Sequence, residues 1–261
     1  MYQVYVSTFG RKILRLKNST AIEVGAVNRD NFIYQLRDDT GDNISNQNGY
    51  FGELTGLYWV WKNEIIADDD IVGYCHYNKA LRISRKKATK WLSNHPNGFI
   101  VLKPGSQAIH EASDEVTATV NALKRNPQDY VAWCKHYDER AANRNPTCYG
   151  CNMFITTGKN FKEYCSWLFD ILMEIRARVG EKPDVSPYLR RYCAFIGERL
   201  LTVYVEARNL PVFPVSKKIR EWWIPIIYPL ASWLKLNKNS RYYRFFSRHL
   251  GSGSSYRMNA F

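Results

Sequence analysis

Side chains that can bind hydroxyl groups, protons or phosphate are concentrated between residues 38 and 77 of this 261-residue sequence. They are Asp38, Asp39, Asp42, Asn43, Glu53, Lys62, His76 and Tyr77. The acids around Gly41 have the spacing of a tight turn whose oxygen acceptors point inward. Lys and His side chains offset phosphate charge, and carboxylates accept hydrogen bonds from hydroxyl groups. The stretch therefore predicts a ligand site, although an ordinary Asx-rich loop and solvated Glu53 and Lys62 explain the same residues.

Further candidates lie outside that stretch. Ser7 and Thr8 end an alternating, β-rich segment, and ligands of open α/β sheets bind at the carboxyl ends of strands. Asn152 opens an apolar run, which is an unusual place for an amide. Glu198 lies among apolar residues, where a carboxylate costs several kcal/mol unless it is paired or functional. The structural alternatives are a Ser-Thr loop start and an ion pair between Glu198 and Arg199.

The hydrophobic pattern predicts an α/β fold. Apolar runs predict strands at residues 2–8, 22–27, 71–75, 99–102 and 150–157. Apolar residues at helical spacing predict helices at residues 52–63, 114–124, 127–144, 161–179 and 190–208. His76 follows strand 71–75, so in a parallel sheet it lies at the same edge as Ser7. A hydrogen-bonded structural histidine is the alternative.

The six cysteines are expected to be reduced thiols, because the first residues do not have the pattern of a signal peptide and several cysteines lie in apolar runs. Cys148 and Cys151 form a lone CxxC, with Cys134 and His136 as conceivable zinc partners. Strong zinc sites present two close pairs with characteristic spacing. We therefore assign no metal site.

The charge distribution separates a folded domain, assigned to residues 1–215, from a basic, aromatic C-terminal extension, residues 216–261. The net charge is +13, and from Lys217 onward there are nine Lys or Arg residues against one acid, Glu221. No segment has the roughly 18 to 20 uninterrupted apolar residues that span a bilayer. The first residues read as a strand rather than a signal peptide, so we expect a cytoplasmic protein.

Five sequence blocks carry a family resemblance: RDDTGDNIS, ELTGLYWVWKN, the strand ending in His76-Tyr77, CNMFI and FIGERLL. In this order they resemble the small bacterial glycosyltransferases of capsule, exopolysaccharide and O-antigen loci, long described only as a domain of unknown function. The resemblance covers about residues 3–215. It implies a GT-A-like fold, a Rossmann-type mixed sheet flanked by helices, which transfers sugar from a nucleotide donor. UDP-galactofuranose is the first expectation for the donor, and a polyprenyl-diphosphate-linked glycan for the acceptor.

The resemblance also implies roles for individual residues. Glu198, in FIGERLL, is the expected catalytic base of an inverting transfer, with Asp184 as the alternative. Asn152 and Glu53 are expected to face the acceptor. The expected donor-binding residues are Ser7, Thr8, Asp39, Asp42, Asn43, Lys62, His76 and Tyr77.

The chain departs from the resembled family in two places. Many such enzymes hold Mn²⁺ or Mg²⁺ with an Asp-x-Asp pair at the end of the strand that follows the helix. Here that position reads Cys75-His76-Tyr77-Asn78, and the nearby acids, residues 68–70, precede the strand. A divalent metal cofactor is therefore not expected, and His76 and Lys62 would offset diphosphate charge instead. Relatives also usually carry His-Tyr-Arg-Arg where this chain continues with Asn78-Lys79.

The extension predicts binding to an anionic membrane surface, on the inner face of the cytoplasmic membrane. Its interfacial aromatics and aligned basic residues are Trp222, Trp223, Tyr228, Trp233, Lys238, Arg241, Arg244 and Arg248. An extension folded onto the domain is the alternative.

Two other functional classes stay open: a nucleic-acid-binding protein and a non-catalytic sugar-nucleotide-binding scaffold. No recognised nucleic-acid motif is present, so a nucleic-acid partner is not expected.

Overall fold

A computed structural model describes residues 1–14, 16–105, 112–141 and 148–219, without the side chains of residues 137–141. Its strands are β1 (Tyr2–Thr8), β2 (Ser19–Glu23), β3 (Ile71–His76), β4 (Lys79–Leu81), β5 (Phe99–Leu102), β6 (Phe154–Thr157), β7 (Val212–Val215) and β8 (Lys217–Ile219). Its α-helices are α1 (Asn48–Phe51), α2 (Leu54–Asn63), α3 (Arg85–Asn94), α4 (Ser113–Leu123), α5 (Pro127–Ala141), α6 (Gly158–Val179) and α7 (Tyr192–Ala207).

These strands form one mixed sheet with the order β2-β1-β3-β6-β5-β7. Strands β1, β2 and β3 are parallel, β6 runs antiparallel to both β3 and β5, and β5 is parallel to β7. Strand β4 pairs with the end of β3 and with β8. The carboxyl ends of β1 and β3 therefore lie at the same edge as the beginning of β6.

Each face of the sheet carries its own apolar core. On one face, alternate strand residues such as Tyr5, Tyr74 and Phe154 pack with helices α2, α6 and α7. On the other, Val4, Cys75 and their neighbours form a smaller core covered by the segments around residues 13–16 and 80–92. Burial on both faces explains why β1 and β3 read as nearly continuous apolar runs.

Most of the predicted elements are confirmed, including strands 2–8, 71–75 and 99–102 and all five helices within a few residues at each described end. Two predicted strands are wrong in their bounds. Strand β2 ends at Glu23, because Gly25 takes a left-handed conformation (φ 62°) and a 3-10 turn follows. Strand β6 begins at Phe154, because Cys151 and Asn152 have φ angles of 72° and 46°, which no strand accommodates.

The sheet includes three residues beyond residue 215. Lys217–Ile219, assigned to the extension, form β8 and pair with β4, so the sheet reaches residue 219. The remaining extension, residues 220–261, and the end of the predicted helix 127–144 lie outside the described residues. In the part of the chain that is described, no helix is long and apolar enough to cross a membrane.

The loop before α2 is held by one buried carboxylate. Asp38 is fully buried and accepts hydrogen bonds from the backbone N–H groups of Gly25 (2.9 Å) and Ala26 (3.0 Å). It also accepts hydrogen bonds from the hydroxyls of Ser45 (2.6 Å) and Thr55 (2.5 Å). Four donors satisfy a charge that would otherwise be costly to bury. Asp38 therefore fastens the turn after β2 to the beginning of α2.

We expect Asp38→Asn to lower the free energy of unfolding by about 2–4 kcal/mol, because an amide presents hydrogen atoms to some of the four donors. Urea denaturation of the two proteins measures the difference. Asp39→Asn is the matched control: this half-buried neighbour forms an ion pair with Arg37 (3.2 Å), and its loss should change the free energy by about 0.5 kcal/mol or less. Equal effects at the two positions would contradict the role given to Asp38.

Candidate functional site

Four polar side chains from separate parts of the chain meet at the carboxyl edge of the sheet. His76 ends β3, next to Ser7 of β1 in register. The antiparallel pairing of Tyr74 with Phe154 brings the turn before β6, with Asn152, beside His76. Glu53 comes from the beginning of α2, and Arg191 from the residue before α7. The topology of the sheet thus gathers residues that are up to 138 positions apart.

Glu53 is the centre of this group. Its side chain is buried, and its carboxylate accepts hydrogen bonds from Asn152 Nδ2 and Arg191 Nη2, both at 2.8 Å. The imidazole Nε2 of His76 lies 4.0 Å from Glu53 Oε1. The Tyr74 hydroxyl donates to the Glu53 carbonyl at 2.6 Å, which ties α2 to β3. The carboxylate is therefore paired and held from three sides.

A glycine makes room for the arginine. Gly52 has a φ of 52°, and a Cβ at this position would lie 2.6 Å from Arg191 Nη2. Any other residue would be strained in the backbone and would also displace the guanidinium from Glu53. Gly197 of α7 likewise leaves space for Asn152. A Cβ at position 197 would lie 3.2 Å from Asn152 Oδ1.

The electrostatics keep Glu53 ionised and His76 neutral. Burial alone would raise the pKa of Glu53, but the charge of Arg191 and the Asn152 hydrogen bond hold it below its ordinary value. Burial lowers the pKa of His76, against the attraction of Glu53, and Lys79 and Arg191 lower it further. The His76 Nε2 also hydrogen-bonds to the Cys151 carbonyl, which assigns the proton to Nε2.

Glu198 is the second carboxylate of the site and behaves in the opposite way. It lies on α7 and is half-buried. Burial and the charge of Glu53 raise its pKa, while the backbone N–H of Cys151 and the charges of Arg199 and Lys79 oppose that shift. Arg199 itself is buried and donates to the Phe195 carbonyl at 2.6 Å. The site therefore holds two carboxylates whose pKa values are pushed apart, an arrangement typical of acid–base pairs.

The turn before β6 completes the site. Cys151 and Asn152 are both in the left-handed region, where a non-glycine residue is uncommon and is held by its surroundings. Lys79 Nζ lies 3.9 Å from Cys151 Sγ. Burial raises the pKa of the Cys151 thiol to about 11, so the thiol stays protonated at neutral pH. Asn152 Oδ1 is buried and has no hydrogen-bond partner among the described residues.

Several predicted site residues lie elsewhere. Asp42, Asn43 and Lys62 lie at the far end of α2, about 13 Å along the helix axis from Glu53. There the Tyr58 hydroxyl donates to Asp42 at 3.0 Å, and the Lys62 ammonium lies 3.9 Å from the centre of the Trp61 ring. The sequence analysis expected Lys62 and His76 to share a phosphate, and the structure does not bring them together.

The remaining predicted residues are placed as follows. Ser7 and Thr8 are at the correct edge, but both are buried, and their hydroxyls donate to the carbonyls of Cys75 (3.3 Å) and Arg11 (2.6 Å). Tyr77 directly follows His76 and is half-buried. Asp39 pairs with Arg37, as described above, and Asp184 is exposed in the loop before α7. Of the site residues predicted from the sequence, the structure thus brings together Glu53, His76, Asn152 and Glu198 at the carboxyl edge of the sheet.

Sequence reasoning missed Arg191 and gave Lys79 no role in the site. Nothing in the sequence distinguishes Arg191 from Arg190, its neighbour, because the hydrogen bond to Glu53 depends on long-range packing. The position of Lys79 directly after His76-Tyr77-Asn78 was the one available signal. Among the described residues, no group of three His, Cys, Asp or Glu side chains is arranged to hold a metal ion.

Comparisons with known proteins place this site in a family. The model of the family described as "Domain of unknown function (DUF4422)" matches residues 4–138 and 106–209. The chain belongs to this family. The DUF4422 match spans all the gathered site residues, and it confirms the predicted resemblance at the level of the family. The comparison with curated proteins gives no match.

A solved structure shares the fold of this DUF4422 chain. It is described as the apo structure of WbbM bifunctional glycosyltransferase, with 23% sequence identity and a TM-score of 0.68. The match covers 84% of this chain and 45% of that chain, so this chain spans less than half the length of WbbM. At this identity the likeness concerns the fold, and it confirms the predicted GT-A-like class, a mixed sheet flanked by helices.

The lowered pKa of His76 predicts a pH dependence of stability in this DUF4422 protein. A histidine buried in its neutral form binds its proton more readily in the unfolded chain, so stability should fall as pH falls below about 6.5, its unfolded pKa. His76→Gln removes this contribution. Melting temperatures between pH 7.5 and 5.0 should therefore fall less steeply in the variant than in the wild type. If the melting temperatures of the wild type and the variant fall equally with pH, the pH dependence of stability belongs to other groups.

Proposed function

We propose that this chain is a glycosyltransferase that uses a nucleotide-sugar donor and a glycan acceptor. The observation that carries the proposal is the pair of carboxylates, Glu53 and Glu198, whose pKa values are shifted in opposite directions at the carboxyl edge of the sheet. Ligands of open α/β sheets bind at this edge. The fold shared with WbbM, which is described as a glycosyltransferase, supports the same reaction class.

In this proposal Glu198 is the general base. Burial raises its pKa, which makes it a stronger proton acceptor than an exposed glutamate. It takes the proton from the acceptor hydroxyl while that oxygen forms a bond to the anomeric carbon. The bond between the anomeric carbon and the diphosphate oxygen breaks, and its electron pair leaves with the diphosphate. Attack opposite the leaving group inverts the anomeric centre.

Glu53 has a positioning role in the same mechanism. Its carboxylate is buried beneath Asn152 and Arg191, so it fixes their orientation rather than contacting the acceptor as the sequence analysis expected. Its fixed negative charge also contributes to the raised pKa of Glu198. Arg191 and Lys79 are the cations beside the site, and they would stabilise the negative charge that develops on the diphosphate. Lys79 thus takes the role first expected of Lys62.

We further propose that the donor is a UDP-sugar, UDP-galactofuranose first, and that the acceptor is a lipid-linked glycan of a bacterial surface polysaccharide such as O-antigen or capsule. The five sequence blocks that resemble polysaccharide-locus enzymes support these identities. We also propose that transfer needs no divalent metal. The acids before β3 are engaged elsewhere: Asp70 pairs with the N-terminal amine and Asp68 with Lys162.

Glu198→Gln should bind the donor normally and lose transfer by about 100-fold or more, because a general base contributes that much to the rate. Saturation-transfer NMR with UDP-, GDP-, dTDP- and CMP-sugars, with and without Mn²⁺, first identifies the donor that contacts the protein. Turnover of that donor is then compared between the wild type, Glu198→Gln and the control Asp184→Asn.

Each result bears on one part of the proposal. Normal turnover by folded Glu198→Gln protein would exclude Glu198 as the base, and loss of turnover in Asp184→Asn would move the role there. Signals that require Mn²⁺ would contradict metal-independent binding. The absence of saturation-transfer signals from all the nucleotide-sugars, together with a salt-sensitive complex with single-stranded RNA, would favour the nucleic-acid alternative. Donor binding without turnover on any acceptor would favour the scaffold.

We propose that the extension attaches the enzyme to an anionic membrane surface, on the basis of its aromatic and basic residues. Replacing Lys238, Arg241, Arg244 and Arg248 with Gln in the full chain should abolish flotation with vesicles that contain anionic lipid, because each juxtamembrane cation contributes about 1 kcal/mol. Wild-type protein on neutral vesicles is the control. Undiminished flotation of the fourfold variant would contradict the proposal.

A further inference from the structure

A cavity of about 430 Å³ lies on the face of the sheet opposite Glu53. Its wall is mainly apolar and is formed by Tyr2 and Val4 of β1, Cys75 of β3, Ala80 and Leu81 of β4, and Ile155 of β6. Two cations, Lys17 and Arg85, also line it, and both are exposed to solvent. The cavity therefore combines an apolar interior with a positively charged rim.

Two long segments that supply most of the cavity lining contain no acidic residue. Residues 1–22 and residues 71–110 have no Asp or Glu, whereas residues 71–110 contain seven Lys or Arg. Strand β8, which pairs with β4 beside the cavity, adds Lys217 and Lys218. The ion pairs between described residues use other cations than Lys17 and Arg85. The segments that line the cavity are thus strongly basic.

Helix stability does not account for the basic residues near the rim. The first turn of α3 carries Arg85, Lys86 and Lys87 and no acid, although the helix dipole favours negative charge at that end. The Ser84 hydroxyl already caps the helix by accepting from the Lys87 N–H at 3.3 Å. The Arg85 guanidinium lies 5.6 Å from the centre of the Tyr2 ring, at the cavity wall. The charges at this position suit an external anion.

The cavity is adjacent to the candidate active site. Successive residues of a strand point to opposite faces: Cys75 lines the cavity, and the next residue, His76, lies 4.0 Å from Glu53. In the same way Lys79 approaches Cys151 while Ala80 lines the cavity. The ends of β3 and β4 therefore separate the cavity from the site.

We propose that this cavity binds the lipid anchor of the glycan acceptor, with an isoprenoid or acyl chain against the apolar wall and its phosphate on Arg85 and Lys17. The identity of the lipid as the acceptor's anchor rests on the proposed function. The ligand class itself follows from the pairing of an apolar interior with a cationic rim, because neither a free phosphate nor a neutral hydrocarbon would use both.

Isothermal titration calorimetry of the full chain tests the proposal with three probes: farnesyl phosphate, farnesol and inorganic phosphate. Farnesyl phosphate should bind at least about tenfold more tightly than either of the other two. Arg85→Glu should weaken its binding about tenfold or more, because it removes a charge-assisted hydrogen bond and adds repulsion. Glutamate suits the first turn of α3, so this variant should keep its melting temperature.

Two further variants separate local binding from general charge. Lys90→Glu makes the same change in net charge on α3 but is not among the residues that line the cavity, and it should bind farnesyl phosphate like the wild type. Ile83 also lines the apolar wall. Ile83→Ser replaces this side chain with a small polar one, and it should weaken the binding of farnesyl phosphate without affecting the binding of inorganic phosphate. Equal weakening by Arg85→Glu and Lys90→Glu would overturn the proposal, as would equal affinity for farnesyl phosphate and inorganic phosphate.

The saturation-transfer measurement on the same Arg85→Glu sample distinguishes the two proposals. Intact donor signals with lost farnesyl phosphate binding support a lipid subsite separate from the donor site. Intact donor signals with no farnesyl phosphate binding even in the wild type would overturn the lipid proposal and leave the proposed function standing. Lipid binding in a wild type that contacts no nucleotide-sugar would support the cavity and count against the glycosyltransferase.

Discussion

The buried charge of Glu53 is the constraint on which the site depends. An ionised carboxylate inside a protein costs several kcal/mol unless hydrogen bonds and opposite charge compensate it. Here the compensation comes from Asn152 and Arg191, with His76 close by. The beginning of α2, the end of β3, the turn before β6 and the beginning of α7 must therefore all be in place together. A single side chain thus couples four parts of the chain at the edge of the sheet.

The same charge sets the chemistry of its neighbour. Because Glu53 remains ionised, it adds to the effect of burial in raising the pKa of Glu198. The two residues are chemically identical, and their surroundings assign them different roles. Glu53 stays an anchor with a fixed charge, whereas Glu198, with its raised pKa, binds a proton more readily. Because the pKa of Glu53 is lowered and that of Glu198 is raised, Glu198 is the stronger proton acceptor of the two carboxylates.

The sequence predicted the elements of the fold much better than the contacts of the site. Strand β1 and helix α6 have strong local patterns, and their predicted positions were close to those observed. The hydrogen bond between Glu53 and Arg191 has no local pattern, because 138 residues separate the two. Lys62 and His76 are apart for a related reason: they are near each other in sequence, but the length of α2 carries Lys62 to the end of the helix opposite Glu53. The left-handed turn at Cys151 and Asn152 also has no signal in an apolar run that reads as a strand.

The network around Glu53 has a consequence for how members of this family can diverge. Replacing Arg191 or Asn152 alone removes part of the compensation for a buried charge, and replacing Gly52 displaces the guanidinium. We therefore expect substitutions at these positions to occur mainly in combination, because a single substitution would destabilise the buried carboxylate. Variation in ligand preference is therefore expected at positions outside the network, such as Asn78 or the exposed loop before α7. The anchor thus confines adaptation to the periphery of the site.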